Sequence, residues 1–113
     1  MHELGIMQNI VEIAQDYARR SNAQKVLKIV LEVGKLSGVV PEALEFCFSV
    51  CTKGTLLEGA ELEIERVASL GVCKECGEKF DLVDNDFSCP ICKGKNWNMI
   101  SGRELIIKEL GVI

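Results

Sequence analysis

Four cysteines carry the clearest chemistry in this chain. Cys73 and Cys76 form one C-x-x-C pair and Cys89 and Cys92 a second, with twelve residues between the pairs. Two thiolates separated by two residues can grip one metal ion from a single tight turn. Two such turns facing each other offer four sulfurs at the corners of a tetrahedron, the geometry Zn²⁺ takes in structural sites. Four sulfurs leave no open position for a substrate, so an ion held this way is structural. A rubredoxin-like iron centre uses the same ligand pattern, and the low aromatic content of 5% favours zinc. A thioredoxin-type role needs one C-x-x-C at a helix start in a βαβ setting, and neither pair has that context.

A second set of donors lies at the other end of the chain. His2 is the only histidine. A free α-amine at Met1, the amide nitrogen of His2 and the imidazole of His2 would chelate one ion through fused rings. The amide of Glu3 or an outside donor would complete four ligands. A planar nitrogen set of this kind suits Cu(II) or Ni(II) rather than Zn²⁺. The bulk of His2 beside Met1 blocks removal of the initiator residue, which keeps the amine in place. The carboxylate of Glu3 is available to adjust the site or to hydrogen-bond one of its ligands. Cys47 and Cys51 also lie four apart on one helical face. Flanked by Leu44, Phe46 and Phe48, they read as core, because Cys behaves as a small hydrophobe.

These donors need elements to position them. Leu4, Met7, Ile10, Val11, Ala14, Tyr17 and Ala18 recur at three- and four-residue steps, which predicts an amphipathic helix over 3–20. Glu3, Glu12 and Asp16 lie toward its start and middle and Arg19 and Arg20 end it, as the helix dipole favours. Residues 25–33 read as a strand with Leu27, Ile29, Leu31 and Val33 on one face. Pro41 opens a second helix that runs to about Lys53 and stops at Gly54. Residues 60–67 alternate, with Glu61, Glu63 and Glu65 outward and Leu62 and Ile64 inward. Residues 104–110 read as a third strand. Around the cysteines, a glycine follows each pair closely, Gly77 and Gly94, where a tight turn needs positive φ. Glu78–Val83 and Asp86–Ser88 are expected to pair as a hairpin, giving a zinc ribbon whose apolar content is Phe80, Leu82, Phe87 and Trp97. So small a module depends on its metal for folding, on the order of 10 kcal/mol.

The expected fold class is therefore α+β: a small domain of two helices and a three-stranded sheet with an inserted zinc-ribbon module. The α/β domain takes residues 1–70 plus 98–113 and the ribbon takes 71–97. The insertion is expected between two neighbouring strands.

Composition narrows the function classes. Apolar residues make up 48% of the 113 residues and charged residues 27%, with a net charge of −4. An acidic chain argues against general binding to a phosphate backbone. Lys74, Lys79, Lys93, Lys95 and Arg103 near the ribbon would support a nucleic-acid or protein-interaction module as the alternative reading. Glu75, Glu78, Asp81, Asp84 and Asp86 oppose them. No stretch reaches the ~20 apolar residues of a membrane span, and no secretory signal is visible. The cytoplasm, where thiols stay reduced, is the expected compartment. There is no nucleophile–base pair, no open metal position and no phosphate-cradling glycine loop, so an enzyme is not expected.

Met1-His2-Glu3 opening an amphipathic helix, Pro41-Glu42-Ala43-Leu44 opening a second, and the C-x-x-C…C-x-x-C module near the C-terminal end together resemble the HypA/HybF hydrogenase nickel-insertion proteins. The resemblance covers essentially the whole chain. It implies a nickel metallochaperone in the maturation of [NiFe] hydrogenase, and in some organisms of urease. It implies Ni²⁺ as transient cargo at Met1 and His2, with Glu3 implicated, and structural Zn²⁺ at Cys73, Cys76, Cys89 and Cys92. The implied partners are the nickel-handling GTPase HypB and the hydrogenase large-subunit precursor, with no nucleic acid and no membrane. The chain would act as a monomer or homodimer. Some members carry extra histidines near the zinc module, and this chain has none.

Overall fold

The computed structural model describes residues 3–113. The candidate nickel donors of Met1 and His2 lie outside the described residues. Helix α1 spans Glu3–Arg20, strand β1 Val26–Gly34, helix α2 Pro41–Cys51, strand β2 Glu61–Val67, strand β3 Leu70–Cys73, strand β4 Lys79–Asp81, strand β5 Trp97–Met99 and strand β6 Leu105–Val112. Two helices accompany two three-stranded sheets, of order β2-β1-β6 and β4-β3-β5. The expected α+β class holds. The chain divides into two compact units, one of Met1–Glu32, Val39–Glu65 and Ile106–Ile113, the other of Val33–Gly38 and Arg66–Leu105.

In the first unit, α1 buries Ile6, Met7, Ile10, Val11, Ala14 and Ala18. Ala14 and Ala18 are wholly buried. The apolar stripe differs from the sequence reading at its margins. Leu4 and Tyr17 are exposed and Ile6 takes a core position. Asn22 closes the helix with φ 58°, a conformation asparagine tolerates. Helix α2 starts with Pro41 in its first turn and ends two residues earlier than expected. Thr52 caps the helix in the αR conformation, its N–H and Oγ–H both donating to the Phe48 carbonyl, and the chain leaves the helical course by Gly54, whose φ is 74°. Leu44, Cys47 and Phe48 are buried, whereas Phe46 faces solvent.

Strand β1 is the centre of its sheet, and Ile29, Val30 and Leu31 are buried in succession. That overrides simple alternation: β1 has β2 and β6 on its two edges, and Val30 is covered as fully as Ile29 and Leu31 on the opposite face. Leu27, expected inward, is exposed. Lys108 of β6 and Glu65 of β2 meet at 2.8 Å, so this pair reaches across the central strand. The hydrogen bond to Lys108 lowers the Glu65 pKa. The insertion also departs from expectation. The chain leaves β2 and returns in β6, and these two strands are not neighbours but flank β1 on either side.

The second unit contains the two C-x-x-C pairs. Strand β3 pairs antiparallel with β4, Gly71 opposite Phe80, and with β5, Cys73 opposite Trp97. The expected hairpin between 78–83 and 86–88 is therefore replaced by pairing of β4 with β3. The reason lies in the turn that follows β4. The Asp81 carboxylate accepts hydrogen bonds from the Asp84 amide at 2.8 Å and the Ser69 hydroxyl at 3.2 Å. Positive φ at Asp86 and Phe87 keeps that stretch out of an extended ladder. The Asp84 amide, then Lys35 and Ser69, hold the Asp81 carboxyl below the usual carboxylate range. No helix among the described residues is long and apolar enough to cross a membrane.

Candidate metal centre

The two C-x-x-C turns are built alike. The Cys73 N–H donates to the Glu78 carbonyl at 2.9 Å, and the Gly77 N–H donates back to the Cys73 carbonyl at 2.9 Å. The Cys89 N–H donates to the Gly94 carbonyl at 2.8 Å, and the Lys93 N–H donates back to the Cys89 carbonyl at 2.9 Å. The fourth residue after the first cysteine has positive φ in both turns: 79° at Gly77 and 64° at Lys93. The structural counterpart of Gly77 is thus Lys93, not Gly94 as the sequence spacing suggests. Gly94 is small for another reason. A Cβ there would lie 2.5 Å from Glu75 Oε2 and 3.3 Å from Cys92 Sγ. The absent side chain lets the Glu75 carboxylate lie against the second turn.

The turns bring Cys73, Cys76, Cys89 and Cys92 together, with all four sulfurs within 4.8 Å of one another. Cys73 Sγ lies 3.5 Å from Cys92 Sγ, and Cys76 Sγ 3.5 Å from Cys89 Sγ. A tetrahedron with metal–sulfur arms of 2.3 Å has edges of about 3.8 Å. The donor set therefore fits one tetrahedral thiophilic ion. Cys73 and Cys89, the first of each pair, are buried, while Cys76 and Cys92 are exposed. The buried pair join Phe80 and Leu82 in a small core, against which Leu36, Trp97 and Met99 pack. The Trp97 Nε1–H donates to the Phe87 carbonyl at 3.0 Å, and the two rings stand 6.1 Å apart. Leu36, from the loop after β1, was invisible as a member of this core because nothing local in its sequence points to the cysteines.

The turn amides polarise the sulfurs unequally. The N–H groups of Cys76 and then Glu75 hydrogen-bond Cys73 Sγ and lower its pKa to about 7. The Cys92 amide foremost, with Ile91 assisting, lowers that of Cys89. For Cys76 the largest single influence, the Glu78 amide, acts downward. The Cys89, Cys73 and Cys92 sulfurs and desolvation outweigh it and push Cys76 up to about 12. Cys92 is raised in the same way, its Gly94 amide outweighed by Cys73, burial and Cys89. Two sulfurs are thus poised to ionise ahead of the others. Metal uptake must expel the remaining protons, so affinity falls as the pH drops through the value of Cys73. Because Cys73 is lowered to about 7, uptake of Zn²⁺ by metal-free protein at pH 8 is expected to release fewer than four protons. Calorimetry in buffers of different ionisation enthalpy measures that number; release of all four would show that the turn amides do not favour the thiolates.

Glu3 begins α1, and its Oε2 accepts a hydrogen bond from the Val40 N–H at 3.2 Å. Val40 is the residue that precedes α2, and its own side chain supplies no cap. Glu3 thus ties the start of one helix to the start of the other. Cys47 is buried and Cys51 half-buried, and neither joins a metal-ligating cluster among the described residues. Burial and the neighbouring Cys47 raise the Cys51 thiol above its ordinary value.

The chain is similar along its whole length to known proteins. A family model described as "Hydrogenase/urease nickel incorporation, metallochaperone, hypA" matches residues 1–112. A hydrogenase maturation factor HypA of Geobacter metallireducens is 47% identical over 112 residues, with 99% of each chain covered. That of a Nostoc species is 48% identical over 112 residues, covering 99% of this chain and 96% of its own. In fold, the chain resembles the solution structure of the Ni metallochaperone HypA from Helicobacter pylori. The TM-score is 0.69 at 21% identity, over 100% of this chain and 98% of that one. A second HypA solution structure gives a TM-score of 0.73 at 22% identity, over 100% and 97%. With a family match over nearly every residue and relatives at close to half identity, this chain belongs to the hydrogenase/urease nickel-incorporation metallochaperone family, hypA.

Proposed function

We propose that this chain carries Ni²⁺ for the maturation of [NiFe] hydrogenase, with urease as a second recipient. In this reading it holds a structural Zn²⁺ at Cys73, Cys76, Cys89 and Cys92 and its nickel cargo at Met1 and His2. The observation that carries the reading is the extent of the family match. It runs over residues 1–112 and so takes in both the first residues and the cysteine module. The donor chemistry supports the division of labour. Four mutually close sulfurs form a closed set with no room for a fifth ligand. An ion that must be handed on therefore needs another, more accessible set of donors.

The amine, amide and imidazole of the first two residues are such a set. They can be stripped one ligand at a time. Glu3 contributes in two ways: its backbone amide completes the nitrogen donors, and its carboxylate, hydrogen-bonded to Val40, steadies the first turn of α1. The chain acts by binding and release rather than by catalysis. Its partners in this reading are a HypB-type nickel-handling GTPase and the hydrogenase large-subunit precursor. Because the imidazole (~6.5) and α-amine (~7.7–8.0) must be deprotonated to bind, acidification releases the cargo.

Nickel titration separates this proposal from its rivals. A form extended by Gly-Ser ahead of Met1, and His2→Ala, are each expected to bind nickel roughly 100-fold more weakly, about 2.7 kcal/mol. Both should retain one zinc per chain. Nickel binding by the extended form as tight as that of the native start would sink the chelate.

A further inference from the structure

The two metal turns share a backbone pattern but differ in what leans on them. In the first, a Cβ added at Gly77 would meet nothing within 4 Å. In the second, a Cβ added at Gly94 would stand 2.5 Å from Glu75 Oε2, 3.6 Å from its carboxyl carbon and 3.3 Å from Cys92 Sγ. A carboxylate oxygen and a ligand sulfur thus face the same methyl-sized space. Glu75 belongs to the first turn, between Cys73 and Cys76, and its N–H is bonded to Cys73 Sγ. Its backbone is fixed at the metal centre while its side chain crosses to the other turn.

No cation holds the carboxylate there. Among the described residues no salt bridge takes it up. The Lys93 ammonium, one residue before Gly94, donates instead to the Pro90 carbonyl at 3.2 Å. A carboxylate beside a thiolate sets like charges together, an arrangement that a cation between them relieves. Zn²⁺ takes carboxylate oxygen at about 2.0–2.2 Å as well as thiolate sulfur. Exposure decides which sulfur can let go. Cys73 and Cys89 are buried in the small core, whereas Cys92, the sulfur beside Glu75, is exposed.

We propose that Glu75 is an exchange donor of the metal centre, its carboxylate taking the ligand position of Cys92 when that thiolate detaches. The donor set passes from four sulfurs to three sulfurs and one oxygen. A divalent ion can then leave or enter without the two turns coming apart. Glu75 replaces a ligand and adds none, in keeping with a closed four-donor site. The proposal rests on the reading of the four sulfurs as a Zn²⁺ site.

Two measurements on the full chain test it. In the first, zinc-loaded protein is mixed with excess pyridylazoresorcinol, a coloured chelator, and zinc transfer is timed. Glu75→Gln is expected to slow transfer roughly tenfold. Gly94→Ala, whose Cβ displaces the carboxylate, should slow it as well. Glu78→Gln, an equal loss of charge near the same cysteines, should leave the rate unchanged. In the second, Co²⁺ is titrated into Cys92→Ala and followed by visible absorption. That variant should still give a tetrahedral spectrum with thiolate charge transfer. Adding Glu75→Gln to it should weaken Co²⁺ binding roughly tenfold or more, and adding Glu78→Gln should not. Faster transfer from Glu75→Gln or Gly94→Ala would make the carboxylate a brace for the turn and overturn the proposal. So would a Cys92→Ala chain that binds no Co²⁺, or binds it equally with and without Glu75. Native protein that takes up no zinc would defeat the zinc reading itself. One zinc per chain, with a transfer rate that Glu75→Gln leaves unchanged, would defeat this proposal alone.

Discussion

Serine in place of Cys73 is expected to empty the metal centre and unfold the unit that contains it, while α1 and α2 persist. The size of the effect follows from what that unit has for a core. Its buried hydrophobic cluster is Cys73, Phe80, Leu82 and Cys89, so half of it also belongs to the candidate metal-binding set. Leu36, Trp97 and Met99 add only partly buried surface. Apolar burial on this scale cannot offset the chain entropy of ordering residues 66–105. A structural zinc site supplies on the order of 10 kcal/mol of folding free energy, and losing one of four ligands forfeits most of it. Metal analysis should find well under one zinc per chain. The ¹⁵N–¹H spectrum should lose the dispersed peaks of β3, β4 and β5, and hydrogen exchange should show β6 unprotected. Far-UV dichroism should keep its helical signal. A metal-free variant that retained dispersed ribbon peaks would mean that packing, not the ion, holds the fold.

Alanine at Gly34 is expected to destabilise the protein by about 3 kcal/mol or more. The cause is a crossing of backbones. A Cβ on Gly34 would lie 2.1 Å from the Gly102 carbonyl oxygen, 2.2 Å from its carbon and 2.7 Å from the Arg103 amide nitrogen. These are main-chain atoms and cannot turn aside as a side chain can. They are also held in place. The Gly34 N–H donates to the Glu104 carbonyl at 2.8 Å, and the Leu36 N–H donates to the Gly102 carbonyl at 2.7 Å. Gly102 is itself closely approached: with φ at 130°, a Cβ added there would meet the Ser69 Cα at 2.9 Å. Thermal unfolding should show the midpoint falling by on the order of 10 °C. Gly38→Ala is the comparison: Gly38 has positive φ but no neighbour within 4 Å of an added Cβ. Its cost is backbone strain alone, about 1 kcal/mol. Equal losses for the two variants would show that the close approach at Gly34 is relieved by local movement.

The parts of this fold that sequence reveals are those decided by local chemistry. The limits of α1 follow from its periodicity and from Asn22. Pro41 marks the start of α2, and the four sulfurs converge as their spacing requires. The remainder is decided by groups far apart in the chain. Nothing beside Gly34 announces that Gly102 will cross it. Nothing beside Leu36 says that it will pack beneath cysteines. The exposure of Leu27 and Phe46 depends on which neighbours cover each face, and residue type does not encode that. The pairing of β4 with β3 turns on Asp81 reaching the Asp84 amide and Ser69. That is tertiary chemistry overriding a short strand's pattern. In the first metal turn Gly77 has the expected positive φ, but in the second the glycine misleads, because Lys93 accepts the left-handed conformation and Gly94 instead makes room for Glu75. The donors of Met1 and His2 are legible only as chemistry, a chelate whose existence nickel titration decides.

The path of the chain from one edge of the first sheet to the other has a consequence for biogenesis. Strands β2 and β6 flank β1, and everything from Leu70 to Arg103 is threaded between them. During synthesis β1 therefore waits with one side bare until the last strand emerges. A long floppy excursion makes its return entropically costly, while one already knotted around an ion presents its two ends as a short tether. Capture of an ion by the four sulfurs would thus sit upstream of sheet completion, and a cell starved of that ion would accumulate half-assembled chains with an unsealed edge open to aggregation.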